Sequence, residues 1–290
     1  MRVHMNSHNS DKQDKTRNLP KREFKQENTL LSSDKQDKTR NLPTQRVAKQ
    51  KREFKQENTL LSVVILTFNS AKYLREVLKS ASFADEIIVL DSGSSDQSEQ
   101  IAKSFENVKF IKHEWLGFGA MKKFGVNLAK NEWIFVLDSD EIITKSLQDE
   151  LINTLKNPAF KAYKVARLNY FFGAPLRHLG LYPDYTIRFF NKNYANFNED
   201  SVHERVITKC EIGTLKEHFL HYAYENVEQF ISKQNRYSSL NAKKSRFKAL
   251  FSPAWTFVKL YVIKLGFMDG WRGFVVAKLY AQYTFWKYIK

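Results

Sequence analysis

The sequence predicts an α/β fold, in which a doubly wound, mostly parallel sheet is followed by a carboxyl-terminal helical extension. From Leu61 onward, apolar runs of strand length alternate with segments of helical periodicity. The strand-length runs are apolar at consecutive positions, which is typical of strands buried on both faces of a parallel sheet. With 290 residues, 42% of them hydrophobic, the chain is long enough to bury such a core.

The patterns place these elements in order along the chain. Apolar runs of strand length predict strands at 62–68, 86–92 and 132–140, and a further strand is predicted at 107–113. A helix is expected after each strand, from Asn69 or Ser70 to about Ser82, from Asp96 to about Glu106, over 118–130 and over about 145–156. The first two starts rest on residues that cap helices, and Glu99 three residues after Asp96 strengthens the second.

Composition divides the chain into three parts. Residues 1–61 contain a literal duplication, with DKQDKTRNLP at 11–20 and 34–43. This segment has 15 Lys/Arg, 8 Asp/Glu and few apolar residues, so we expect a basic and largely disordered tail. A catalytic domain is predicted over 62–225, and a helical region rich in aromatic and basic residues over 226–290.

The net charge of +16 indicates an anionic partner. We expect no nucleic acid, because the sequence has no helix-turn-helix, zinc-ligand or RNA-platform motif. Cys210 is the only cysteine, which excludes an intrachain disulfide and favours a reducing, cytoplasmic compartment. No uncharged apolar run reaches the roughly 20 residues that a membrane span needs.

Polar clusters follow three of the predicted strands. They contain, in chain order, Thr67, Asn69, Asp91, Gly93, Asp138 and Asp140. Because the carboxyl ends of parallel strands share one edge of the sheet, we expect these residues to lie together at a ligand site. Turns and helix caps are the alternative interpretation of each cluster taken singly.

Two carboxylates leaving a buried strand, Asp138 and Asp140, predict a site for Mg²⁺ or Mn²⁺. Such an ion neutralises the charge that grows on a departing nucleotide diphosphate, as in sugar transfer. Asp91 and the backbone at Gly93 are candidates to hold the nucleoside, with Thr67 and Asn69 beside the base. Lys122 and Lys123 are candidates to reach a phosphate, with a solvated helix face as the alternative.

These motifs resemble those of the inverting family 2 glycosyltransferases with the GT-A fold. The downstream half is similar to a narrower branch, the bacterial lipopolysaccharide-core β-glucosyltransferases that act on inner-core heptose. The resemblance covers about 62–290 and rests on T-x-F-N, D-S-G-S-x-D, D-S-D-E, Asn169–Gly173, Arg177-His178, Tyr182–Asp184, Arg188–Phe190 and Val202–Glu204. The segment FGAMKKFG departs from the family pattern, which leaves the role of its two lysines open.

The resemblance implies that Asp91 contacts the nucleoside and that Asp138 and Asp140 hold a metal-bound diphosphate. It further implies a UDP-glucose donor and an acceptor in lipopolysaccharide or lipooligosaccharide, with galactose and N-acetylhexosamines open as alternatives to glucose. Another glycan or glycolipid acceptor is the first alternative. A nucleotidyltransferase is a weaker one, because the first strand is not followed by a Gly-rich phosphate loop.

Inversion in one displacement requires a general base that takes the proton of the acceptor hydroxyl. Asp184 and Glu204 are the candidates, with Asp184 slightly ahead and with Glu199 and Asp200 as weaker alternatives. His203 is a candidate for approaching the metal or the diphosphate. Cationic residues in the same half, Arg167, Arg177, His178 and Arg188, are expected to pair with acids and phosphates of the acceptor.

The carboxyl-terminal stretch 251–290 is dense in aromatic residues and lysines. Pro253 is expected in the first turn of a helix, and Gly266 through Gly273 in a break between two helices. Aromatic residues mixed with lysines are typical of helices that lie in a membrane interface. We therefore expect peripheral binding to the inner face of the cytoplasmic membrane, with packing on the catalytic domain as the alternative.

Overall fold

The computed structural model describes residues 61–199, 204–240 and 242–290. The predicted tail lies outside the described residues apart from Leu61, which begins the first strand. Strands and helices alternate over the first half of the described chain. Its strands are β1 (Leu61–Thr67), β2 (Glu86–Asp91), β3 (Val108–Lys112), β4 (Trp133–Asp138) and β5 (Glu141–Ile143), and its helices are α1 (Ala71–Ala81), α2 (Ser98–Lys103), α3 (Phe118–Leu128) and α4 (Lys145–Lys156).

The second half begins with strands and ends with helices. Its strands are β6 (Ala162–Phe171), β7 (Ala174–Pro175), β8 (Asp184–Asn191), β9 (Ala195–Phe197), β10 (Val206–Thr208) and β11 (Ile212–Tyr224). Three helices close the chain, α5 (Val227–Leu240), α6 (Arg246–Val258) and α7 (Gly270–Ile289). A π-helical turn over Lys259–Ile263 and a 3₁₀ turn over Gly266–Asp269 lie between the last two, where the helix break was predicted.

One nine-stranded sheet runs in the order β3-β2-β1-β4-β8-β6-β11-β5, with β7 beside β6. The strands β3, β2, β1 and β4 are parallel, β8 is antiparallel to both of its neighbours, and β11 is parallel to β6. Because β5 and β7 are also antiparallel to their partners, six strands run one way and three the other. The predicted mostly parallel α/β sheet is confirmed.

Helices cover both faces of this sheet. In β1, Val63 and Ile65 belong to a core shared with α1, α2 and α4, whereas Val64 and Leu66 face the core of α3. This alternation explains why the strand is apolar at consecutive positions. The doubly wound arrangement is confirmed.

Two local predictions differ from the structure. The helix that begins after Asp96 ends at Lys103 and not near Glu106, because the Ser104 hydroxyl donates to the Ile101 carbonyl at 2.7 Å. The placement of Pro253 in a first turn is wrong, since α6 already begins at Arg246. Its start is set upstream by Ser245, whose hydroxyl accepts a hydrogen bond from the Lys248 amide at 3.4 Å.

The carboxyl-terminal helices pack on one another and hold a loop of the sheet domain. Gly273 of α7 lies against the backbone of Gly266. A Cβ on Gly273 would be 1.8 Å from the Gly266 carbonyl oxygen, so only glycine fits at position 273. The Asp269 carboxylate accepts hydrogen bonds from the backbone amide of His178 at 3.0 Å and from the imidazole Nδ1 of His178 at 2.8 Å. Arg272 Nε donates a hydrogen bond to the Phe172 carbonyl at 3.2 Å. Among the described helices, none combines the length and the apolar character needed to cross a bilayer.

Candidate active site

The carboxyl ends of β1, β2 and β4 form one rim, and Asn69 ties the first two of its loops together. Asn69 has a positive φ of 49°, a conformation that asparagine tolerates better than most residues. Its amide donates to Ser94 Oγ at 2.8 Å, and its Oδ1 accepts from the Ser95 amide at 2.9 Å. The Ser70 and Ser139 hydroxyls, 2.7 Å apart, join the loop after β1 to the loop after β4. The three predicted clusters therefore lie together.

Asp91 organises the loop after β2 from a buried position. Its Oδ2 accepts from the amides of Gly93 at 3.0 Å and Ser94 at 2.9 Å, and its Oδ1 accepts from the Ser94 hydroxyl. Gly93 has a φ of 95°, which glycine alone adopts at little cost. The Asp91 carboxylate therefore fixes the conformation of the loop after β2 through these three hydrogen bonds.

Thr67, the last residue of β1, supplies an unusual polar atom to this rim. The residue is buried, and its hydroxyl has no hydrogen-bond partner among the described residues. Buried polar atoms are nearly always paired in folded proteins, and exceptions need an explanation such as a missing ligand. The Thr67 hydroxyl is therefore a buried polar group directly beneath the rim whose hydrogen-bonding capacity is unused among the described residues.

A buried network of charges surrounds Asp138. Lys122 Nζ lies 3.0 Å from Asp138 Oδ1, and an Arg188 guanidinium nitrogen lies 3.0 Å from Oδ2. Arg188 also contacts Glu141 at 2.7 Å, and the Asp138 amide donates to the same glutamate at 2.9 Å. Burial alone would raise the pKa of Asp138, but Lys122 and Arg188 hold it below its ordinary value. Asp138 is therefore an ionised group fixed from two sides.

Lys122 does not extend into solvent as a free phosphate ligand. Only 2% of the residue is exposed, and its Nζ lies 3.4 Å from Glu204 as well as 3.0 Å from Asp138. The adjacent Lys123 is 37% exposed and pairs with Glu199 at 2.7 Å. One of two neighbouring lysines on α3 thus belongs to the buried network, and the other to the surface.

Asp140 differs from Asp138 because its side chain is 40% exposed. His221 of β11 lies beside it, with Nε2 3.6 Å from Asp140 Oδ2. The other ring nitrogen of His221 lies 2.7 Å from Asn169 Oδ1, which fixes the orientation of the ring. His221 was not predicted, although it lies three residues before the end of β11 in HFLHYAY.

The two candidate bases have different surroundings. Asp184 Oδ2 accepts two hydrogen bonds from Arg167, at 2.9 Å from Nε and at 2.6 Å from a terminal nitrogen. Glu204 lies near Asp138, because both carboxylates contact Lys122, Glu204 at 3.4 Å and Asp138 at 3.0 Å. His203, Asp200 and Val202 lie outside the described residues.

The cations expected to meet the acceptor largely pair within the protein. Arg167 binds Asp184, Arg188 binds Asp138 and Glu141, and His178 binds Asp269. The expectation is wrong for Arg188, which is buried beneath the rim. Its guanidinium pairs with Glu141, which is withdrawn from water, and with Asp138, which is partly exposed.

Charge on the rim is unbalanced toward the negative side. Asp138 and Glu141 face Lys122 and Arg188, and Asp184 faces Arg167. Glu204 shares Lys122 with Asp138, Asp140 lies beside His221, and Asp91 adds a further carboxylate to the rim. In the part of the chain that the structure describes, no group of three or more His, Cys, Asp or Glu side chains is arranged to enclose a metal.

Comparison with known proteins identifies the chain's relatives. Residues 62–219 match Glycosyl transferase family 2. An uncharacterized glycosyltransferase of Rickettsia typhi is 28% identical over 79% of this chain and 85% of its own length. The lipopolysaccharide core biosynthesis glycosyltransferase LpsC of Rhizobium meliloti is 27% identical over 77% of this chain and 88% of its own. The crystal structure of S. aureus TarS 1–349 with UDP superposes with a TM-score of 0.42 at 18% identity, covering 72% of this chain and 75% of that one.

Proposed function

The chain belongs to glycosyl transferase family 2, and we propose that it transfers a hexose, with inversion, from UDP-glucose to an inner-core heptose of lipopolysaccharide. One observation carries the chemical part of this proposal. Asp138 and Asp140 follow a buried strand at the rim, and the Asp140 side chain is 40% exposed there beside His221. The acceptor part is supported by the likeness to a lipopolysaccharide core glycosyltransferase.

The carboxylates of this rim suit a divalent cation, Mg²⁺ or Mn²⁺. Asp140 is half-exposed, its neighbour His221 is oriented by Asn169, and the rim carries more carboxylates than Lys and Arg side chains. Carboxylate oxygens are preferred ligands of both ions. When bound, the ion would neutralise charge on the diphosphate leaving group. In this proposal Asp140 and His221 hold the ion, and His203 is a further candidate.

Asp138 has a different task from Asp140. Lys122 and Arg188 occupy both of its oxygens from within the protein, so Asp138 is held rigidly and stays ionised. We assign it to positioning the nucleotide-sugar at the rim, together with Thr67, Asn69 and the loop shaped by Asp91 and Gly93. Fixed polar groups of this kind raise the rate because they need no rearrangement during the reaction.

Glu204 is the better candidate for the general base. A general base needs an oxygen that is free to meet the acceptor hydroxyl. Arg167 binds one oxygen of Asp184 twice, at 2.6 and 2.9 Å, whereas Glu204 meets Lys122 at the longer distance of 3.4 Å. We assign proton acceptance to Glu204 and the support of the acceptor side to the Asp184–Arg167 pair.

The experiment is a transfer assay in which UDP-sugars are offered with truncated lipopolysaccharide, with a chelator and with Mn²⁺ or Mg²⁺ restored. We expect transfer from UDP-glucose that the chelator stops and the metal restores. Asp140→Ala should abolish it with the fold intact, and Glu204→Gln should lower kcat far more than Asp184→Asn. Asp149→Ala, an exposed acid that pairs with Lys145, is the matched control.

Two results would contradict the proposal. Unchanged turnover in Asp140→Ala would refute the metal-assisted mechanism. Formation of a UDP-sugar and pyrophosphate from UTP and a sugar 1-phosphate, without transfer from UDP-sugars, would instead indicate a nucleotidyltransferase. Transfer to another glycan, with lipopolysaccharide inert, would keep the chemistry and replace the acceptor.

A further inference from the structure

Helix α6 turns an apolar face outward. Its exposed apolar face consists of Phe247, Leu250, Phe251, Trp255, Val258 and, in the following turn, Val262. At 100° per residue these positions fall within an arc of about 140° on one side of the helix. Phe247 is 74% exposed and Trp255 59%, so the rest of the described chain does not cover this face.

The opposite side of α6 is already occupied by α7. Ala249 is buried, Phe257 packs on Phe274 with ring centroids 5.6 Å apart, and Thr256 bonds to Thr284 at 3.3 Å. One side of α6 therefore packs on α7, and the other side is an apolar surface that the described residues leave uncovered. Contiguous apolar surfaces of this kind mark interaction sites.

The distribution of charge identifies what covers the face. Residues 62–241 contain 22 Lys/Arg and 22 Asp/Glu and are neutral, whereas residues 242–290 contain 10 Lys/Arg and a single acid, Asp269. Asp269 is occupied by His178. All the excess positive charge of 62–290 thus lies in residues 242–290, which carry the exposed apolar face of α6. A partner that covers this face should therefore be both apolar and negatively charged.

The cations stand at the borders of the apolar arc. Arg246 lies on one border, and Lys248 and Lys259 lie on the other, all three exposed. An apolar stripe with aromatic residues and flanking lysines is the pattern of a helix lying in the plane of a lipid headgroup layer. Lysines at such borders reach lipid phosphates while their stems stay on the apolar surface.

We propose that the exposed apolar face of α6 docks in the plane of an anionic lipid bilayer, with Lys248 and Lys259 contacting lipid phosphates. This deepens the proposed function, whose acceptor is lipid-borne, but its test needs no transfer reaction. Asp269 and Arg272, which follow α6 in the chain, bind His178 and the Phe172 carbonyl of the sheet domain.

The test is flotation of the full chain with lipid vesicles, in the absence of donor and acceptor. We expect binding to vesicles of phosphatidylcholine with added phosphatidylglycerol. The double variant Lys248→Gln with Lys259→Gln should weaken that binding on the order of thirtyfold, since each basic residue near such a surface contributes about 1 kcal/mol. Phe247→Gln with Trp255→Gln should abolish it.

Ile207→Gln is the matched control, because Ile207 is 55% exposed on β10, away from α6. It should leave the vesicle binding unchanged, and thermal unfolding should show that all variants fold. No flotation of the parent chain with anionic vesicles would overturn the proposal. So would a dimer in sedimentation that Trp255→Gln dissociates without any vesicle binding, because the face would then cover a second copy. Failure of sugar transfer to truncated lipopolysaccharide would refute the proposed function and leave the vesicle result standing.

Discussion

Replacing Lys122 by methionine tests the buried charge network under the rim. Methionine keeps the length and much of the volume of lysine, so the change removes a charge and leaves little cavity. Lys122 Nζ lies 3.0 Å from Asp138 and 3.4 Å from Glu204, with 2% of the residue exposed. Lys123→Met is the matched control, because this neighbour is 37% exposed and pairs with Glu199 at the surface.

The expected loss in the free energy of unfolding of Lys122→Met follows from these distances. At an effective dielectric constant of about 20, each of the two contacts is worth roughly 5 kcal/mol of attraction. Withdrawing the ammonium from water costs several kcal/mol and offsets much of this. Removing one partner of a buried ion pair typically destabilises a protein by about 3–5 kcal/mol. Because Arg188 still faces Asp138, we expect the lower end, about 3 kcal/mol, whereas Lys123→Met should cost about 0.5 kcal/mol or less.

The assay is urea unfolding of the parent and both variants, at several pH values. The folded pKa of Asp138 lies below its unfolded value, so the network stabilises the fold above the unfolded pKa, near 3.9. This stability is lost as the pH falls through the folded pKa. The difference between the parent and Lys122→Met should therefore be constant from about pH 6 to 8 and shrink below about pH 4. Equal unfolding midpoints for the two lysine variants at pH 7 would refute the reasoning.

Three further predictions concern the rim and the tail. Gly93→Ala should lower the free energy of unfolding by about 1–2 kcal/mol, because φ is 95°, and should raise KM for the donor; thermal unfolding and kinetics measure both. Asp96→Ala should cost about 2 kcal/mol, since Asp96 accepts from the amides of Ala71 at 2.9 Å and Ser98 at 3.0 Å. Hydrogen bonds lower the pKa of Asp96 despite its partial desolvation, so this difference should shrink below about pH 4 in denaturant titrations. Deletion of 1–58 should leave sugar transfer unchanged in the same assay, and a large loss would show that the tail is functional.

The first four strands were predictable because the signal that specifies them is local. Each is a run of apolar residues, and β1 is buried along its whole length. The insertion of β8 between β4 and β6 was not predictable, because pairing between distant segments leaves little trace in one sequence. The same limit explains the error at Pro253, where a weak cap at Ser245 determined the helix start.

The candidate site divides in a similar way. Asp138 and Asp140 were predictable because they end a strand whose neighbours end at the same edge. The difference between Lys122 and Lys123 was not predictable. The two lysines are adjacent in sequence, and the orientation of α3 on the sheet decides which of them is buried. His221 comes from β11, and its contact with Asp140 exists only once the sheet is assembled.

The anchoring of the loop at Phe172 and His178 by Arg272 and Asp269 has a consequence for protein engineering. The loop over 172–181 and the last helices are far apart in sequence but fixed to each other in space. Both anchors end on backbone atoms of the loop, the Phe172 carbonyl and the His178 amide. A chimera that takes its last helices from a relative should therefore stay folded if Asp269 and Arg272 are kept, and lose thermal stability if both are replaced.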